Sequence, residues 1–287
     1  GEVEEMVGLA GSLVLNIGTL TDRWVEAMVL AGRRATVLGR PIILDPVGAG
    51  ATALRTAAAR RILAETRVSV VRGNASEVLS LGAGAAAGRG VDAVHAVDEA
   101  VEVAARLATS LQTTLAVTGK VDLVTDGERA VRIANGHPLM TAVTGTGCSA
   151  TAIIGAFLAV DPDPLSAAAT GLACFGIAGE MAGEMAVGPG SFMINLLDAL
   201  YNLRPEEAAE RASVPLVPLP AFFTLGQLQH AADATSMDAL LCDAPGIATA
   251  LGFVPGGHLP GSSLPWFRRK AATPVALPAE TSKVTFT

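Results

Sequence analysis

Four stretches of the chain end in residues that could handle phosphate. PIILD closes on Asp45 and opens onto the glycine-containing loop 46–50, and VSVVRG carries Arg72 ahead of Gly73, Asn74 and Glu77. TLAVTG ends at Thr118 and Gly119, and TAVTGTGCSATAIIGAFLAV sets Gly145, Thr146, Gly147 and Cys148 immediately before an apolar run of helical length. Glycines allow backbone angles closed to other residues, and the first turn of a helix leaves N–H groups without partners, so the TGTGC stretch is a seat for an anion. Arg72 suits phosphate oxygens, Asp45 and Glu77 suit a divalent cation held through water, and the Cys148 thiol could take a proton. Together these residue types suit a nucleotide polyphosphate with magnesium and a phosphoryl group in transfer.

Each residue also has a simpler use. Asn74-x-x-Glu77 is the pattern of a capping box, Gly48-Ala49-Gly50 could be an ordinary turn, Thr118 could merely end a strand, and Arg72 could pair with a surface carboxylate. GTGCSA also approximates a dinucleotide fingerprint. That fingerprint belongs after a first strand and is answered by an acid at the end of the next one, whereas here it comes late and only a DPDP turn follows.

The elements that must position these residues follow a βα alternation. SLVLNIG reads as a strand, TDRWVEAMVLAGRRATVLG as a helix opened by Thr21 or Asp22, and PIILD as the next strand. Residues 53–66 are helical, VSVVRG is a strand, SEVLSL and DEAVEVAARLATSLQ are helical, and TLAVTG is a strand. Near-continuous apolar strands in this order predict a mostly parallel sheet covered on both faces, with ligands at the carboxyl ends of its strands. VDLVTDGERAVRIANG predicts a hairpin turning at Asp126-Gly127, followed by helices over 148–160, 164–185 and 190–202.

Beyond Leu203 the character changes. Ten of the sixteen prolines lie from Pro205 onward, and SVPLVPLPAFF and GFVPGGHLPGSSLP fit neither sheet nor helix, although QLQHAADATSMDALL could form one helix. The division expected is one folded domain over 1–204 and a poorly ordered appendage over 205–287.

The 287 residues are 51% hydrophobic and 16% charged, the balance of a packed globular enzyme. A net charge of −7 without a basic stripe argues against nucleic acid as a partner. The richest apolar run, 150–160, is too short for a bilayer, so no membrane span is expected. Three cysteines, at 148, 174 and 242, share no metal-ligand spacing and make a poor disulfide framework, which suits a reducing cytoplasm. The opening GEVEEM lacks an initiator Met and reads as a cut start.

LVLNIGTLT, PIILDPVGAGAT, VVRGNASEVLSL, AVTGKVDLVTDG, TAVTGTGCSATAIIGAFLAV and GPGSFMINLLDALYNL, in this order, resemble hydroxyethylthiazole kinase over about residues 1–204. The resemblance implies a three-layer α/β/α ribokinase-like fold with a mostly parallel central sheet. It also implies transfer of the γ-phosphoryl of ATP to the hydroxyl of 4-methyl-5-(2-hydroxyethyl)thiazole in thiamine salvage, with Mg2+. Arg72 and Thr118 match the family's ATP contacts and Gly145 its substrate contact. Cys148, with Gly147 and Thr146 beside it, matches the catalytic loop, whose cysteine stands where most ribokinase-like enzymes carry an aspartate base. Asp45 and Glu77 match acidic positions near the metal and phosphates. A homotrimer in the cytoplasm is implied as well. The family begins with a further strand and a substrate-contacting methionine, so half of the thiazole pocket is expected upstream of Gly1. A nucleotide-binding or assembly protein of the same fold, and a kinase for another small alcohol, are the alternative readings.

Overall fold

The computed structural model describes residues 2–82 and 97–214, together with the backbone of 253–258 and 265–269. Helix α1 (Val3–Leu9) leads into strand β1 (Leu13–Asn16), followed by α2 (Asp22–Val37), β2 (Ile42–Asp45), α3 (Ala53–Glu65), β3 (Val70–Asn74), α4 (Ala75–Leu79), α5 (Val97–Leu111) and β4 (Thr114–Thr118). The hairpin β5 (Asp122–Thr125) and β6 (Ala130–Ile133) then precedes α6 (Thr146–Leu158), α7 (Pro164–Met185), α8 (Pro189–Asn202) and α9 (Pro205–Arg211). The strands lie in sheet order β1-β2-β3-β4-β5-β6, the first four parallel and the last two joined antiparallel.

Alternation along the strands divides the molecule into three layers. Leu15, Ile42, Leu44, Val71 and Leu115 face α1 to α5, while Ile43, Val70, Ala116, Val124, Val131 and Ile133 face α6 to α9. Helices after β1 and β2 start where the sequence predicts: Thr21 Oγ1 accepts from Trp24 N at 3.3 Å, and Thr52 Oγ1 from Arg55 N at 3.3 Å. The hairpin turns at Asp126-Gly127 with Gly127 at φ 99°, and Arg129 ties that turn to Asp163, the cap of α7.

Helix α7 is long and apolar enough to cross a membrane by length and composition, which the sequence reading had not credited to any run. Here it is the core helix: Ala167, Ala168, Leu172, Ile177 and Ala178 are buried against α6, α8 and the sheet. Its glycines admit close neighbours. A methyl group at Gly176 would lie 2.6 Å from the Asn135 carbonyl oxygen, and one at Gly179 would lie 2.7 Å from Met140 Sδ. The loop from β6 to α6 can therefore lie flat on α7.

Residues 205–214, on the far side of the boundary drawn at 204, pack on this same core. Ala208, Ala209, Ala212 and Val214 are buried, Ala134 N donates to Ser213 O, and Ser213 N donates to Asn135 Oδ1 at 2.7 Å. Phe253–His258 (β7) and Pro265–Arg269 (β8) form an antiparallel pair, where sheet had not been expected. SVPLVPLPAFF, from its third residue on, and the helix suggested over 227–241 lie outside the described residues.

Candidate active site

The register of the parallel strands builds a polar row at their carboxyl ends. Asn16 stands beside Asp45 on the neighbouring strand, and the pairing of Leu44 with Val71 sets Asp45 level with Arg72. Thr118 ends the adjacent strand opposite Asn74. The side chains of this row meet on the face covered by α6. Asn16 Nδ2 donates to Asp45 Oδ2 at 2.9 Å, Thr151 Oγ1 from α6 donates to the same oxygen at 3.0 Å, and Arg72 Nη1 lies 3.7 Å from it. Arg72 Nη2 donates to Thr118 Oγ1 at 2.9 Å, and Arg72 Nε is buried with no partner among the described residues.

Asp45 is 1% exposed. Burial pushes its carboxyl above the ordinary range, outweighing the pull of the Arg72 guanidinium and the hydrogen bonds from Thr151 and Asn16. Further cationic charge would relieve it.

Above the row sits the start of α6. Gly145 is the cap residue, at φ 95°, and has no side chain with which to close the helix end, so the N–H groups of Thr146, Gly147 and Cys148 remain uncapped by any side chain. A methyl group on Gly147 would come within 2.8 Å of Arg72 Nη1, so the guanidinium lies directly against the first turn. Among the described residues nothing stands within 4 Å of where a Gly145 side chain would project. Cys148 is exposed at the rim, with Sγ 3.5 Å from Asn16 Nδ2. The Thr146 hydroxyl is turned inward, donating to Met140 O at 3.1 Å, which fastens the loop below the seat.

The remaining acid serves the scaffold. Glu77 completes the capping box with Asn74, accepting from Asn74 N at 2.9 Å, and its other oxygen accepts from Gly48 N at 2.8 Å. Loop 46–50 is further held by Arg55, which donates to Val47 O, Ile17 O and Gly18 O. Glu77 thus links two loops at the carboxyl edge, each carboxylate oxygen keeping a second lone pair. Among the described residues no three of His, Cys, Asp or Glu gather around one point, so a cation here would draw most of its ligands from water and phosphate.

The structure brings Asp45, Arg72, Thr118, Gly145, Thr146, Gly147 and Cys148 to one edge of the sheet. Sequence reasoning missed Asn16, Thr151 and Asp122. Asn16 ends β1 as Asp45 ends β2, and asking of the first strand what was asked of the others would have found it. Thr151 is the hydroxyl in an otherwise apolar helix. Asp122 opens β5 beside Arg72; burial raises its carboxyl to about 6, although Gly119 N donates to it at 2.9 Å.

The family model described as the hydroxyethylthiazole kinase family matches residues 1–206. A hydroxyethylthiazole kinase of Desulfotalea psychrophila is 65% identical over 206 residues, covering 72% of this chain and 76% of the relative. One from Chloroflexus aggregans is 51% identical over 213 residues, covering 74% and 77%. The solved structure of a hydroxyethylthiazole kinase protein from Pyrococcus horikoshii OT3 superimposes with a TM-score of 0.68 at 44% identity, covering 75% of this chain and 81% of that one. Pyridoxal kinase from Staphylococcus aureus, solved in complex with ADP, shares the fold at a TM-score of 0.50 and 18% identity.

Proposed function

The chain belongs to the hydroxyethylthiazole kinase family, and on that premise we propose that it moves the γ-phosphoryl group of ATP to the hydroxyl of 4-methyl-5-(2-hydroxyethyl)thiazole, a step of thiamine salvage. Its α/β/α layers form the ribokinase-like fold. One observation carries the chemical reading: the Arg72 guanidinium packs against the uncapped first turn of α6, with a thiol at the rim.

The phosphoryl group in transfer sits on the N–H groups of Thr146, Gly147 and Cys148, where positive potential is fixed before the reaction begins. The substrate hydroxyl oxygen bonds to the γ-phosphorus, the bond to the bridging oxygen of ADP breaks, and the hydroxyl proton passes to Cys148 Sγ. A loose transition state asks little of a base, so holding the hydroxyl in line matters more than the basicity of the sulfur. Arg72 meets the nucleotide phosphates and Thr118 orients it through their 2.9 Å hydrogen bond. Gly145, open above, lies on the substrate side.

Asp45 and Glu77 would hold Mg2+ through water. The donor set fits: two carboxylates share one edge, and buried Asp45 is held above its ordinary range by desolvation that a cation would offset. Bound there, the metal supplies charge neutralisation for the phosphates.

The proposal includes a homotrimer, and association between copies is supported by α8, whose Met193, Ile194, Leu197 and Tyr201 are exposed in a helical stripe. The free thiols of Cys148 and Cys174 suit a cytoplasmic setting.

The test is incubation with ATP and the thiazole alcohol, with Mg2+ or with excess chelator, followed by mass spectrometry of the products. Thiazole phosphate formed only with the divalent ion is expected. Product in excess chelator would remove the metal from the proposal, and a protein that neither binds ATP nor makes product would overturn it.

A further inference from the structure

Asn16 ends the edge strand β1, and its carboxamide has a fixed orientation. Oδ1 accepts from Gly18 N at 2.8 Å, so the NH2 group must turn the other way, toward Asp45 Oδ2 at 2.9 Å and Cys148 Sγ at 3.5 Å. An amide NH2 can only donate. The sulfur it meets therefore accepts, and any hydrogen on that sulfur points away from Asn16, toward the open side of the seat.

Two further features fix the bridge. Asp45 is held by Thr151 on α6 as well as by Asn16, so the carboxylate end of the bridge cannot swing. Ser12 Oγ donates to Gly155 O at 2.6 Å, and a methyl group at Gly155 would lie 2.8 Å from Val14 Cγ2, so α6 is seated on β1 along its length. Cys148 and Asn16 therefore belong to one rigid contact between strand and helix.

We propose that Asn16 is a positioning residue for the reaction. Its amide clamps Cys148 Sγ to the buried Asp45, keeping a sulfur lone pair free for the substrate hydroxyl and any S–H turned out of the clamp. This rests on the reading of Cys148 as proton acceptor. No bond is made or broken at Asn16. The charged groups beside the clamp are Asp45 from β2 and Arg72 from β3, which lies against Gly147, with the Glu77 carboxylate acting on Asp45 from further off.

The experiment compares the full chain with Asn16→Leu and Asn16→Ser. Leucine keeps the volume without a donor, and serine is too short to bridge both partners. The first readout is the rate at which iodoacetamide modifies Cys148 at neutral pH, located by peptide mass mapping, and it does not depend on turnover. Loss of the hydrogen bond that holds Cys148 Sγ in the clamp should slow the modification at least about fivefold in whichever variants remain folded by circular dichroism. Cys174, shielded by burial that raises its thiol to about 11, serves as the internal reference. The second readout is kcat, expected to fall by roughly tenfold with KM for ATP unchanged. In a Cys148→Ala background, Asn16→Leu or Asn16→Ser should add nothing to the loss. Unchanged modification rates, or kcat losses that simply add, would overturn the proposal. If Cys148→Ala alone left turnover intact, the base reading would fail, while the alkylation result would still decide whether Asn16 holds the sulfur.

Discussion

Arg72 lies directly against Gly147, so close that a methyl group on Gly147 would meet its Nη1 at 2.8 Å. The glycine is needed for the space it leaves, because in α6 an alanine would favour the helix itself by up to about 1 kcal/mol. Gly147→Ala should therefore leave the melting temperature unchanged or raise it while displacing the guanidinium. We expect kcat/KM for ATP to fall at least about tenfold, since misplacement by about 1 Å can cost roughly a hundredfold. Full activity in a folded Gly147→Ala protein would show that the contact is incidental.

Cys148→Ala should slow turnover by roughly tenfold to a hundredfold, at or below the lower end of the range for a general base, because a loose transition state asks little of one. Cys148→Asp should keep or raise the rate, because an aspartate is ionised at neutral pH and would accept the same hydrogen bond from Asn16. Steady-state kinetics on both variants decides the matter, and a folded but inactive Cys148→Asp would contradict the role assigned to the sulfur.

Asp122 sets a pH dependence of stability. Its carboxyl is raised from 3.8 to about 6, mainly by burial, so the folded protein binds its proton more tightly than the unfolded chain. That contribution is full below about pH 4 and is lost as pH rises through 6. Asp122→Asn retains an acceptor for Gly119 N and removes the charge. We expect it to gain about 1 kcal/mol at pH 7, discounted for partial exposure, and little at pH 4. Melting curves at the two pH values provide the check, and equal gains at both would remove Asp122 as the source.

Gly176→Ala should destabilise the protein by about 1–3 kcal/mol, because its methyl group would press within 2.6 Å of the Asn135 carbonyl oxygen. Gly8→Ala is the control, since none of the described residues lies within 4 Å of a methyl group there, and it should hold or raise the melting temperature. Matching losses in the two variants would mean that the close approach on α7 carries no cost.

Much of the frame was legible because it depends on local pattern. Apolar runs marked β1 to β4, Thr21 and Asp126-Gly127 marked a helix start and a turn, and the rule for strand ends led to Asp45, Arg72 and Thr118. What stayed hidden depends on contacts between distant parts of the chain. That Asn16 and Thr151 share one oxygen of Asp45 follows from the register of β1 on β2 and from the seating of α6, and neither leaves a local signature. The capping box of Glu77 was legible, and only the hydrogen bond from Gly48 29 residues away shows that the capping residue also ties down the glycine loop. The packing of 205–214 was masked by Pro205, which opens α9 in the structure.

Strand order that follows chain order has a consequence for synthesis. A ribosome releases β1 to β6 and the helices of one face before it releases any of α6 to α9. Until then Ile43, Val70, Val124, Val131 and Ile133 form a bare hydrophobic surface, and Asp45 and Arg72 are open to water beside it. The nascent sheet is thus a candidate for chaperones, and its acid acquires its burial cost only when the last third of the folded unit closes over it. Under the proposed roles, assembly and activation coincide: the same helix that covers the apolar face delivers the thiol and the uncapped first turn, so a chain halted before residue 146 would hold Asp45, Arg72 and Thr118 but neither of those.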